Sequence, residues 1–194
     1  RMQSELIEGQ VLDIQYSKKP IKSINEEQIM KVMWKKTGAL YEFAGKAGAM
    51  LGLNTLDAQH PFVQAISSFT GKCGTAFQLQ DDILGIVGDE NKLGKPVGSD
   101  IKEGKRTIII SHAFMNASDK QKRKLSKIIG NQKASEDEIN EAKNLLIELG
   151  SIDWTKKLAE KYIKDSLKYL DIIPQSKYKE LLLLWADYMV HRKI

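Results

Sequence analysis

The sequence predicts an all-α fold, and three observations carry that prediction. Apolar residues recur at helical spacing along nearly the whole chain. The 194 residues include only four prolines and few aromatics, while Lys, Glu, Leu, Ile and Ala abound. No segment alternates apolar and polar residues convincingly, so no strand is expected. The length suits one domain with a sizeable core, and neither an internal repeat nor a second domain is visible.

The elements follow in order. Arg1–Tyr16 reads as the tail of a helix whose beginning lies upstream, and Ser17–Pro20 breaks it. Asn25 caps the next helix, with Glu26 and Glu27 in its first turn. That helix runs through Lys36 and Thr37 to about Met50, and Gly52–Asn54 ends it. A third begins near Thr55 or Leu56, carries Pro61 early, where proline is tolerated, and reaches about Val87. It is far longer than the usual ~10–14 residues. Such lengths suit a large bundle with a deep central cavity. Gly88–Lys102, rich in Gly, Asp, Asn and Pro, is expected to be a loop. A short helix follows over Lys105–Met115, then four more: Ser118–Ile129, Ser135–Leu149, Ser151–Leu170 and Gln175–His191. Ser118, Ser135 and Ser151 are the expected N-caps, Ser135 and Glu138 have capping-box spacing, and Gly130 and Gly150 are stops.

Charge and cysteine usage narrow the function classes. The net charge is +5, which fits an anionic ligand as well as a solvated surface. Basic residues are scattered among acids, so a nucleic-acid partner is not expected. The one dense run, Lys120–Lys124, reads as a solvated helix face. The single Cys73 excludes an internal disulfide framework and suits a reducing compartment, so a cytoplasmic location is expected, with Cys73 in the core. No apolar stretch approaches the ~20 residues of a transmembrane helix. His60, His112 and His191 are isolated and lack metal-ligand spacing. Trp34, Trp154 and Trp185 are expected in the core.

Chemistry concentrates in FQLQDDILGIVGDENKLGKPVGSDIKEGKRT, Phe77–Thr107. Asp81 and Asp82 sit inside an apolar run, where carboxylates are costly unless paired or metal-bound. Gln78 lies three and four residues earlier, on their helical face. Lys95, Asp100, Lys105 and Arg106 follow in a Gly-punctuated segment. Carboxylates followed by lysines are the groups that grip a diphosphate through Mg²⁺. That ion keeps waters and uses one or two carboxylates plus substrate phosphates, and lysine adds a compact positive charge.

FQLQDD, LGKPVGSD and EGKRT together resemble the second aspartate-rich region of the polyprenyl synthetase family, the trans-isoprenyl diphosphate synthases. The likeness is to the archaeal geranylgeranyl or farnesyl diphosphate synthase type. GQVLDI (Gly9–Ile14) looks like the family's GQxxDL signature, and KKTGAL (Lys35–Leu40) like its KT signature. The resemblance spans nearly the whole chain but only the C-terminal part of the family. It implies an isoprenoid-synthase-type helical bundle lacking its N-terminal helices, with residues 1–194 as the C-terminal portion of one domain. The first aspartate-rich motif is then expected upstream of Arg1.

The implied reaction condenses isopentenyl diphosphate with an allylic diphosphate by Mg²⁺-dependent ionisation, chain elongation and diphosphate release. The resemblance assigns metal contacts to Asp81, Asp82 and Asp100, and substrate contacts to Lys36, Thr37, Gln78, Lys95, Lys105 and Gln10. Asp81, Lys36 and Lys95 are the implied catalytic residues; Asp13 joins Gln10 on the cavity wall, and Arg106 is a weaker candidate. Gly85 stands where the usual motif has its third acidic residue. The basic end at His191–Lys193 is a further candidate for covering the isopentenyl substrate. The implied partners are the two diphosphates and a second copy, or a chain supplying the N-terminal half. Alone, these residues are expected to be half a site and inactive. The competing readings are a terpene cyclase, against which LGKPVGSD argues, and a non-catalytic subunit or helical interaction module.

Overall fold

In the computed structural model, residues 2–88 and 97–192 are described. Among them every regular element is helical and there is no strand, so the fold is all-α. Helix α1 spans Met2–Ser17, and a single 3-10 turn covers Ile21–Ser23. Helices α2 (Glu26–Met33) and α3 (Ala39–Gly52) are joined by a π turn over Trp34–Gly38. Then come α4 (Pro61–Val87), α5 (Ser99–Glu103), α6 (Ile108–Asn116) and α7 (Asp119–Ile128). Helices α8 (Glu136–Glu148), α9 (Ser151–Leu167, ending in a 3-10 turn over Lys168–Leu170) and α10 (Lys177–His191) complete the order. None of the described helices is long and apolar enough to cross a membrane.

Caps explain several boundaries. Asn25 Oδ1 accepts from the Gln28 amide at 2.8 Å while Gln28 Oε1 accepts from the Asn25 amide at 2.9 Å, a reciprocal cap on α2. Ser118 with Gln121 and Ser135 with Glu138 form the same device on α7 and α8. Thr107 and Ser176 cap α6 and α10.

Five expectations need correction. The long helix starts at Pro61, because the Asp57 amide bonds Thr55 Oγ1 at 3.0 Å and the Gln59 amide bonds Asp57 Oδ1 at 2.8 Å, turning the chain through 55–60. Proline then takes the first helical position, where no amide is needed. The helix through Lys36 and Thr37 is interrupted by the π turn. Of the stretch expected as a loop, residues 89–96 lie outside the described residues, and its last residues belong to α5. Ser151 is not a cap: the Trp154 amide bonds the Gly150 carbonyl at 3.0 Å, so Gly150 holds the boundary, and Ser151 Oγ meets His112 Nδ1 at 3.0 Å. The three tryptophans are half-buried rather than fully buried.

The chain divides into two compact units. One comprises Arg1–Gln10, Met33–Gln80 and Leu158–Arg192. Its core includes Val63, Phe69, Cys73, Leu79 and Leu170, all without appreciable exposure. Trp185 packs on Tyr41 and Phe69, each 5.9 Å between ring centroids. Burial pushes the Cys73 thiol up to about 11, against the Ser166 hydroxyl beside it. The other unit comprises Val11–Val32, Asp81–Lys157 and Lys193–Ile194. Ile83, Ile86, Ile101, Ile109, Leu125 and Leu146 build its core. Helix α4 gives its residues up to Gln80 to the first unit and those from Asp81 onward to the second.

Candidate functional site

In the first unit, the Lys36–Thr37 pair lies in the π turn. Such turns are rare interruptions of α-helix and often mark functional positions. Three features hold this one. A Cβ on Gly9 would stand 2.6 Å from the Lys36 backbone nitrogen and 2.9 Å from the Lys35 carbonyl carbon, so only glycine lets α1 come so close. The Lys35 side chain is buried, and its ammonium donates to Glu5 and, at 2.8 Å, to Glu8 Oε2. Both hydrogen bonds and both negative charges raise the Lys35 pKa, against the pull of burial. Trp34 Nε1 donates to Glu42 Oε2 at 3.0 Å on the far side of the turn.

Thr37 Oγ1 donates to Gln78 Oε1 at 2.7 Å, so two of the expected substrate-contacting residues meet directly. Lys36, next to Thr37 in sequence, is half-buried, whereas Gln10, on α1, is exposed. Asp13, in the second unit, is half-buried. The basic chain end is described to Arg192, whose guanidinium lies 3.6 Å from the Phe77 ring centroid.

In the second unit, Asp81 and Asp82 occupy successive positions on α4, about 100° apart around the helix. Asp82 is buried at 7% exposure and Asp81 is half-buried. Gly85 is buried, and its carbonyl accepts from the Gly98 amide at 2.8 Å. That bond fastens the start of the GSD segment to the aspartate helix. Gly98 has φ +87° and Gly104 has φ +71°, so left-handed residues flank α5. A Cβ on Gly104 would also stand 2.8 Å from the Gly130 Cα.

Between those glycines Asp100 is 4% exposed and accepts from Lys105 Nζ at 2.5 Å. Burial lowers the Lys105 pKa, but the hydrogen bond and charge of Asp100, with Glu103, outweigh it, and the net shift is upward. Arg106 donates through Nη2 to the Lys19 carbonyl at 2.7 Å and through Nη1 to the Gly104 carbonyl at 2.5 Å. It thereby ties the turn to the segment after α1. Lys95 lies outside the described residues.

Among the described residues no three His, Cys, Asp or Glu side chains form a metal-holding group. Two adjacent carboxylates, one half-buried and one buried, still fit a cation that draws its remaining ligands from water and substrate phosphate. Sequence reasoning missed Lys35, Glu5 and Glu8, and ranked Arg106 low. The i, i+3 spacing of Glu5 and Glu8 on one helix face was the available signal; Arg106 acts on backbone carbonyls, which carry no side-chain signature.

The family model for polyprenyl synthetase matches residues 1–146. A geranylgeranyl diphosphate synthase of Methanosarcina mazei is 36% identical over 190 residues, covering 98% of this chain and 55% of that protein. A short chain isoprenyl diphosphate synthase of Methanothermobacter thermautotrophicus is 34% identical over 190 residues, 97% of this chain and 56% of that protein. Among solved structures, a geranylgeranyl pyrophosphate synthetase from Pyrococcus horikoshii matches with TM-score 0.85 and 40% identity over 98% of this chain and 56% of its own. A polyprenyl synthase from Caulobacter crescentus, complexed with calcium and isoprenyl diphosphate, matches with TM-score 0.91 and 28% identity over 100% of this chain and 57% of its own. The chain thus spans a little over half the length of the relatives it matches. On the family match and these likenesses, this chain belongs to the polyprenyl synthetase family.

Proposed function

We propose that this chain is the C-terminal portion, residues 1–194, of a single prenyltransferase domain that condenses isopentenyl diphosphate with an allylic diphosphate. The carrying observation is the direct Thr37–Gln78 hydrogen bond between two separate motifs. A polar pair of that kind suits the reacting carbon of an allylic substrate. In this reading Lys36, Lys95 and Lys105 neutralise the departing diphosphate. Asp81, supported by Asp82, holds Mg²⁺, which supplies Lewis-acid charge neutralisation. Asp100 keeps the Lys105 ammonium in place, an alignment that favours electrostatic stabilisation without reorganisation.

The chemistry needs no covalent enzyme intermediate. The protein positions substrates and excludes water from the allylic cation. The relatives' remaining length has no counterpart in these 194 residues, and turnover is proposed to need it, in the same polypeptide or from a partner. Helix α1 exposes Ile7, Val11 and Ile14 at i, i+4 and i+7 spacing, which supports a helical neighbour such as a second copy. A cytoplasmic setting completes the proposal.

The test is incorporation of labelled isopentenyl diphosphate into longer prenyl diphosphates with Mg²⁺ and dimethylallyl, geranyl or farnesyl diphosphate. Asp81→Ala in the complete enzyme is expected to lose at least about 100-fold in turnover; near-normal turnover overturns the assignment. The half-length of the match also favours a second reading, a non-catalytic subunit. Mg²⁺-dependent diphosphate binding that yields no product even with the complete protein would select it.

A further inference from the structure

A surface recess of about 350 Å³ lies wholly within the second unit, and none of its lining residues belongs to the candidate site. Asp119, Lys122, Arg123, Ser126 and Lys127 line it from α7, with Lys22 and Phe114 completing the wall. The five α7 residues are spaced i, i+3, i+4, i+7 and i+8, so they form one continuous helix face. Leu125 and Ile128, on the opposite arc, are buried in the core and hold that face in register.

The charge balance is uneven. Four cations line the recess and Asp119 is its one anion. Among the described residues none of these four cations enters an ion pair, whereas Lys124, on another arc of α7, is paired with Glu141. The lining carries a net charge of +3, four cations against one anion, which suits a multiply charged anion better than a single carboxylate. Arg123 can offer a planar fork to phosphate oxygens, the lysines offer point charges, and Ser126 offers a hydroxyl. The volume lies at the small end of small-molecule sites.

We propose that this recess binds the phosphate or diphosphate group of a small phosphorylated molecule or a lipid headgroup, with the apolar portion of that ligand against Phe114. Asp119, the one anion in the lining, opposes the anion and sets a preference for ligands with a hydroxyl or a bound cation beside the phosphate. The proposal is independent of the Asp81 assignment.

The experiment is calorimetric titration of the complete protein with inorganic diphosphate in metal-free buffer, where binding through Mg²⁺ is suppressed. Wild type and Asp81→Ala are expected to bind alike, and more weakly as salt rises. The combined Lys122→Glu, Arg123→Glu, Lys127→Glu variant is expected to bind at least about tenfold more weakly, a loss equal to ~1.4 kcal/mol, with prenyl transfer unchanged. If that variant does not fold, Lys→Gln and Arg→Gln replacements serve in its place. Equal binding by the variant, or no saturable binding by wild type, overturns the proposal, as does binding of nucleic acid without diphosphate. Retention on vesicles containing phosphatidic acid, released by diphosphate, assigns the group to a lipid headgroup. Diphosphate binding without retention assigns it to a free molecule.

Discussion

The absent side chain at Gly9 lets α1 lie against the backbone of Lys36. A methyl group there would stand 2.6 Å from a main-chain nitrogen, which cannot swing aside as a flexible side chain would. Gly9→Ala is therefore expected to destabilise the protein by about 1–3 kcal/mol. Thermal unfolding would read this as a lower Tm, and turnover should fall further than the stability loss explains, because the π turn that carries Lys36 and Thr37 must move. Neighbouring Lys35 shows how one side chain can be structural and electrostatic at once. Its pKa is raised above the ordinary 10.5 by Glu5 and Glu8. Its stabilising contribution is therefore fully present below the unfolded value and is lost as pH rises through the higher folded value. Urea midpoints from pH ~10 to ~12 should fall more steeply for wild type than for the Glu5→Gln, Glu8→Gln variant. Parallel curves would refute the linkage.

At the scale of elements, most boundaries answer to local chemistry. Asn25, Ser118 and Ser135 each start a helix because a side-chain oxygen and a residue three positions on satisfy orphan amides reciprocally. Ser135→Ala is expected to lose ~0.5–2 kcal/mol in chemical denaturation. The π turn is different. No local feature of WKKTG demands it; α1 packing through Gly9, Glu5 and Glu8 and the Trp34–Glu42 bond hold it. The same holds for α5, a five-residue helix in a glycine-rich stretch. Bonds from Gly98 to Gly85 and from Gly130 to Ile101, at 2.8 Å and 2.9 Å, anchor it to distant parts of its own unit. Local propensity in SDIKE is too weak to nucleate a helix of that length without them.

For the whole molecule, each unit rests on its own apolar core. Leu125 and Leu146 are fully buried in the second unit, so Leu125→Ala is expected to lose about 2–5 kcal/mol. A loss below ~1 kcal/mol in denaturant unfolding would mean that the cavity collapses freely. By itself, the sequence determined the helical class, the order of the longer helices, most of the caps and the family, because each is written in spacing and residue type within a few turns. It also placed Asp81, Asp82 and Gln78 on one helix. Only the tertiary structure decided that Thr37 meets Gln78, that Asp100 holds Lys105, and that Lys35 and Arg106 brace the turns around them. Those contacts join residues up to 87 positions apart. Such partners are chosen by packing and by the requirement that buried polar groups find one another, and neither leaves a periodic trace along the chain.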